Sequence, residues 1–123
     1  MALKTPDDFV SEFKAGFDAD DVDAILELYS DAIVVVPQAG LRLHGLAEMR
    51  TNLSAMLAMK PCTLEFTSDG VVESADAAVV YGSWTFDGAS FTGPVHIEAR
   101  ATVVLTRQDD LWYAVIDDFF SGG

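Results

Sequence analysis

At Pro61 the spacing of apolar side chains changes period, and this change constrains the fold more than any other feature of the sequence. Before it, apolar residues recur mainly every third or fourth position; after it they alternate, so helices precede strands. Thr5-Pro6-Asp7-Asp8 reads as a helix start, with a threonine N-cap, proline at the first helical position and a carboxylate near the positive helix end. Phe9, Val10, Phe13 and Phe17 follow as one aromatic stripe. A second helix is predicted from Asp20 or Asp21, with Val22, Ile25, Leu26 and Tyr29 at i, i+3, i+4 and i+7. Gly45 opens a third, lined by Leu46, Met49, Leu53, Met56 and Leu57 and ended by Pro61. Between the last two, β-branched Ala32-Ile33-Val34-Val35-Val36 reads as a short buried strand and Gln38-Ala39-Gly40 as a turn.

Four strands are predicted beyond Pro61: Thr63 to Glu73 with a bulge or turn at Ser68-Asp69-Gly70, Ala77 to Phe86, Pro94 to Arg107, and Leu111 to Phe120. Turn signals at Ser74-Ala75-Asp76, Asp87-Gly88 and Gln108-Asp109-Asp110 separate them. Helices followed by antiparallel strands, without regular alternation of the two, define an α+β class: three N-terminal helices packed on one face of a curved, mainly antiparallel sheet. The row Val95, Ile97, Ala99, Ala101, Val103 and Leu105 should meet the helices, while His96, Glu98, Arg100, Thr102 and Thr106 face away. In the last strand Trp112, Ala114 and Ile116 alternate with the equally apolar Leu111, Tyr113 and Val115. An outer sheet face that is partly apolar implies a cover, most simply a second copy of the chain, giving a homodimer.

Charge narrows the partners. The 123 residues carry 20 acidic and 7 basic side chains, a net charge of −13, and the basic residues are scattered, which disfavours nucleic acid and anionic membrane. Apolar content of 50% supports a packed core, and one domain spanning residues 1–123 is expected, with a frayed tail at Gly122-Gly123. There is no export signal and no apolar run approaching the ~20 residues that span a bilayer, so the expected location is cytoplasmic. The single cysteine, Cys62, reads as a small core hydrophobe rather than a reactive thiol.

The order of elements, read with Phe9-Val10 to Phe17, the Ala19-to-Tyr29 stretch, Val35-Val36-Pro37, Leu43-His44-Gly45 before a helix, and Leu111-Trp112-Tyr113-Ala114-Val115-Ile116-Asp117-Asp118, resembles the superfamily of nuclear transport factor two, ketosteroid isomerase and SnoaL-like polyketide cyclases. The resemblance implies a cone in which helices and a bent sheet enclose a mostly apolar pocket, commonly in a homodimer packed through the sheets. It implies no single activity, since isomerases, cyclases, dehydratases and non-catalytic modules share the fold. Ketosteroid isomerase chemistry needs a carboxylate base before the first strand's proline, a tyrosine on the first helix and a protonated aspartic acid on a later strand. Those positions hold Val36, Phe13 and Ala101, none of which can carry or donate a proton.

The remaining candidate chemistry lies at Asp117-Asp118. Adjacent strand residues point to opposite faces, so one of the two enters the pocket, where loss of water would raise its pKa and suit it to general acid or base work. The alternative is a structural carboxylate, hydrogen-bonded or paired with Arg100. Phe13, Phe17, Tyr29, Val36, Trp84, Ile97 and Ala101 are the expected pocket residues, with Tyr29 either a phenolic donor to ligand or a core residue with a wet hydroxyl. His44 and His96 lack metal-ligand spacing, no phosphate-binding loop is present, and neither metal nor cofactor is expected. Two functions follow from this: acid–base chemistry on a small apolar carbonyl metabolite by an isomerase, cyclase or dehydratase, or a non-catalytic ligand-binding or dimerisation module.

Overall fold

A computed structural model describes residues 3–120, so the tail expected at Gly122-Gly123 lies outside the described residues. A single 3-10 turn, Pro6–Asp8, leads into α1 (Phe9–Asp18), followed by α2 (Val22–Leu26), β1 (Tyr29–Val36), β2 (Leu43–His44), α3 (Gly45–Leu57), β3 (Thr63–Glu73), β4 (Ala77–Ser90), β5 (Gly93–Gln108) and β6 (Leu111–Asp118). The Thr5 hydroxyl accepts from Asp7 N at 3.3 Å, as the cap signature requires, although it caps the 3-10 turn rather than α1 itself. Asp21 caps α2 through Ala24 N at 3.1 Å. That helix is shorter than its spacing predicts, and Tyr29 belongs to β1 instead. The cause is tertiary: Ala114 N bonds to Leu28 O at 2.9 Å, so β6 captures the chain immediately after the helix.

The six strands form one open, curved sheet in the order β2-β1-β6-β5-β4-β3. Every pairing is antiparallel except β1 with β6, so the last strand in sequence lies between the first and the fifth. The inner face carries Ala78, Val80, Trp84 and Phe86 from β4 and Ala101, Val103 and Leu105 from β5, all buried beneath the helices, those of β5 as the alternation predicts. The predicted bulge in β3 is present, with a register shift between Ser68 and Gly70. It is possible because Gly82 lies opposite: a Cβ there would come within 2.1 Å of the Thr67 carbonyl oxygen.

Two strand readings are corrected. Asp87-Gly88 does not turn the chain. Asp87 pairs with His96 and Gly88 with Val95, and the reversal falls at Phe91-Thr92, where Ser90 Oγ donates to Gly93 O at 2.9 Å and Gly93 adopts φ +126°. In β6, Val104 pairs with Ile116 but its neighbour Leu105 pairs with Ala114, leaving Val115 as an extra residue. This bulge reverses the parity of the strand. Ile116, grouped by alternation with Trp112 and Ala114, emerges 43% exposed on the outer face, and Asp117 turns inward.

On that outer face, cross-strand register aligns Val72, Val79, Val104, Ile116 and Val34 in one β-branched row from β3 to β1. Val79, Val104 and Val34 are half-buried, and Val72 and Ile116 are exposed.

Candidate functional site

Asp117 is the one polar side chain in the buried core among the described residues, 2% exposed. It lies between Val35 of β1 and Val103 of β5, and the Val115 bulge directs it under the helices. Tyr29, 3% exposed, donates its hydroxyl to Asp117 Oδ2, so the phenol that a helical reading would leave wet is a buried partner instead. The Tyr29 ring is held edge-on by Phe9, with centroids 5.9 Å apart. Burial pushes the Asp117 carboxyl up to about 7; the Tyr29 hydrogen bond opposes that rise and the neighbouring Asp118 charge adds to it. Tyr29 in turn is raised well above its ordinary value, first by burial and then by the negative carboxylate it faces. The pair therefore holds its phenol protonated beside a carboxyl that burial has raised toward neutrality.

Above Asp117 lies a cavity of about 50 Å³, walled by Phe9, Phe13, Leu64, Phe66 and Trp84, with Ala101 and Val103 beside the acid on the sheet. Since one water needs ~10–15 Å³ on this measure, the space admits about four waters or one small functional group. Adjoining it is a wider groove of about 500 Å³ between α3 and the open end of the sheet, and the two share Met56, Trp84 and Phe119 as walls. The groove is of the size that takes a small organic ligand, typically ~300–1,000 Å³. Its α3 wall is the stripe Glu48, Thr51, Asn52, Ala55 and Met56, continued by Met59 just past the helix, and Phe86, Ile97 and Phe120 stand on the sheet side. Trp84 is fixed by a 2.7 Å bond from Nε1 to the Phe119 carbonyl and by edge contacts with the Phe119 and Phe120 rings, both at 5.9 Å.

The expected pocket residues divide. Phe13, Trp84 and Ala101 line the inner cavity with Asp117, and Ile97 lines the groove. Phe17 stands behind the wall, stacked on Phe13 at 6.5 Å and edge-on to Phe86 at 6.3 Å. Tyr29 reaches the site only through Asp117. Val36 lines neither space: Val35 takes the inward position of β1, and Val36 contributes its carbonyl, which accepts Phe119 N at 3.0 Å. Asp118, the other candidate acid, faces away on the outer side, where its Oδ1 accepts Phe120 N at 3.0 Å. Arg100 meets neither aspartate and pairs with Asp69 of the β3 bulge at 2.7 Å. His96 is exposed between Asp87 at 2.5 Å and Glu98 at 3.0 Å, and the Asp87 hydrogen bond leads the causes that raise its pKa. No group of three or more metal-ligating side chains comes together among the described residues, and no helix among them is long and apolar enough to cross a membrane.

Sequence reasoning missed the groove wall on α3. Apart from Met56, which the apolar stripe already contained, its signal was present in positions 48, 51, 52 and 55, which repeat at helical spacing, but their polar or small side chains hid them beside that stripe.

Helices laid over one face of a curved, open six-stranded sheet define a small α+β domain of cystatin-like fold. The chain belongs to the SnoaL-like domain family, whose model matches residues 10–115. No curated protein matches it. Among solved structures it is similar to a candidate calcium/calmodulin-dependent protein kinase type II association domain from Thiobacillus denitrificans, at 20% identity and TM-score 0.78 over 96% of this chain and 95% of that one. It is also similar to a candidate ketosteroid isomerase from Shewanella frigidimarina, at 17% identity and TM-score 0.76 over 90% of each chain. A nuclear transport factor two-like protein with a cystatin-like fold from Novosphingobium aromaticivorans shares 14% identity at TM-score 0.74, over 94% of this chain and 80% of that one. At these identities the likeness shows the fold alone.

Proposed function

We propose that the domain binds a small, largely apolar carbonyl compound and exchanges a proton with it through Asp117. The observation that carries this reading is the acid itself. A carboxyl buried in an apolar shell, oriented by a phenol and titrating at about 7, can both accept and return a proton near neutral pH. The cavity is too small for a whole ligand, so a reacting group reaches Asp117 while the body lies in the groove past Met56, Trp84 and Phe119. The step is one of isomerase, cyclase or dehydratase type: Asp117 takes a proton from the carbon beside the carbonyl and delivers it to another carbon in an isomerisation, to the alkoxide formed with the new C–C bond in a cyclisation, or to the hydroxyl that leaves as water in a dehydration. Ketosteroid isomerisation is not the reaction proposed. Phe13 and Ala101 present no donor at the cavity and Val36 no base, and the acid enters from β6.

The test is solvent-deuterium exchange at the α-carbon of a panel of small cyclic and aryl ketones, followed by proton NMR. Exchange above background is expected with the native chain and with Asp118→Asn, and is expected to fall by about 10²- to 10⁴-fold in Asp117→Asn. Equal exchange in Asp117→Asn removes the catalytic reading and leaves a binding module.

A second reading concerns assembly. The outer row Val72, Val79, Val104, Ile116 and Val34 supports a homodimer packed sheet to sheet, and the likeness to a protein named as an association domain is in keeping with it. Sedimentation at micromolar concentration should show about twice the 13.3 kDa chain mass. A species of single-chain mass removes this reading.

A further inference from the structure

The two spaces of the site differ tenfold in volume, about 50 Å³ for the inner cavity and about 500 Å³ for the groove. At ~10–15 Å³ for each water-sized group, the inner cavity holds about four non-hydrogen atoms: a carbonyl group, the carbon beside it and one carbon more. Its walls are interlocked. Tyr29, Phe9, Phe13, Phe17 and Phe86 form one chain of ring contacts, with centroids between 5.9 and 6.5 Å apart, and the Tyr29 hydroxyl anchors that chain at Asp117. Trp84 is pinned through its indole N–H to the Phe119 carbonyl, and Lys14, at the α1 edge, pairs with Asp18 at 3.0 Å and Glu65 at 3.7 Å. Met56 is the adaptable wall. It is half-buried on α3, cavity and groove share it, and its unbranched thioether turns about three bonds.

We infer that the site sorts carbonyl ligands by the size of the arm that enters the inner cavity. It takes a methyl or ethyl ketone and rejects one branched beside the carbonyl, with Met56 the specificity-determining residue that sets the limit. The inference rests on the reading that the carbonyl end of the ligand enters the cavity while its body lies in the groove, but not on Asp117 moving a proton. The groove's polar side chains, Gln38 and Glu48 among them, line only the wider space, so they bear on the body of the ligand rather than on this limit. A size limit runs against the ordinary trend, because each added carbon otherwise favours leaving water. A ligand that binds more weakly as it grows more apolar has met a wall.

The experiment titrates 2-acetyl-, 2-propionyl-, 2-isobutyryl- and 2-pivaloylnaphthalene into the ¹⁵N-labelled full chain. All four share the ring body and the carbonyl; the first two acyl arms fall within the limit and the last two beyond it. The native protein is expected to bind the acetyl and propionyl compounds, with movement of the Ala101 and Val103 amide signals beside the acid, and to lose at least about tenfold in affinity at isobutyryl. Met56→Ala opens the shared wall and should bring the isobutyryl compound to within about threefold of the acetyl one, whereas Met56→Leu, of similar volume, should keep the native order. If Met56→Ala does not fold, Met56→Val makes the smaller cut in its place. Affinity that is level or rises through the series, no binding of any of the four up to its solubility, or a limit that survives the opened wall overturns the inference. So does movement confined to the groove side of α3, since the carbonyl end then stays out of the cavity. Deuterium exchange on the acetyl compound separates the two readings. A size limit without exchange keeps this inference and removes the proton step, and exchange without a size limit does the reverse.

Discussion

Asp117 binds its proton more tightly in the folded chain than in the unfolded one, and the sign of the resulting pH dependence follows directly. Its carboxyl rises from 3.8 to about 7 on folding, so across that window the native state holds more protons and stability falls as pH increases, levelling above the folded value. The loss attributable to this group is at most on the order of 4 kcal/mol. We expect urea midpoints of the native chain to decline between pH 4 and pH 7 relative to Asp117→Asn, whose neutral amide fits the same space and does not titrate. Parallel curves would mean that the acid ionises freely. Tyr29 acts in the opposite direction, since its hydrogen bond holds the Asp117 value down. Tyr29→Phe should therefore move the Asp117 carboxyl titration, read by carbon-13 NMR, upward from its native position. Asp118→Asn, on the outer face, should change stability by no more than about 0.5 kcal/mol.

The elements show what a pattern of residue types can and cannot fix. A Gly82→Ala substitution tests the closest approach in the sheet: a methyl group would collide with the Thr67 carbonyl at the β3 bulge. We expect a loss of about 1–3 kcal/mol in thermal or urea unfolding, far above the cost of a side chain added at an open strand position. That bulge was legible because Ser68-Asp69-Gly70 interrupts a strand with turn formers. The bulge at Val115 was not, because Val115 is as good a strand residue as its neighbours. Only pairing with Val104 and Leu105 reveals it, and with it which of two adjacent aspartates enters the core. The same limit explains Asp87-Gly88. Its turn chemistry is real, but Asp87 has a cross-strand partner in His96, and pairing outweighs local preference. Of the two caps read for α2, Asp20 and Asp21, the second is the one used, whereas the helix was overextended at its end, because capping is local and the capture of Leu28 by β6 is not. The apolar faces of β4 and β5 were legible throughout, since alternation survives wherever no bulge intervenes.

For the whole molecule, charge and assembly are coupled. Lys14, Arg50, Lys60 and Arg100 already pair with acids on other elements, and the net charge remains −13. Two copies meeting through the outer sheet face bring like charges together, and salt screens that repulsion over about 8–10 Å at moderate ionic strength. Dimerisation is therefore expected to tighten as sodium chloride rises from low to moderate concentration, and Val104→Glu at the centre of the row should give folded monomers at both, read by sedimentation velocity. A salt-independent dimer that survives Val104→Glu would place the contact elsewhere. The position of β6 has a consequence for how the molecule is made. The strand that fills the gap between β1 and β5 is the last of the six to leave the ribosome. Until it emerges, the nascent chain holds two unjoined pieces, β1 with its short partner and the β3-β4-β5 meander, each with a bare edge open to wrong pairing. The residue that equips the cavity arrives on that same strand, so the chain acquires its sheet and its acid together.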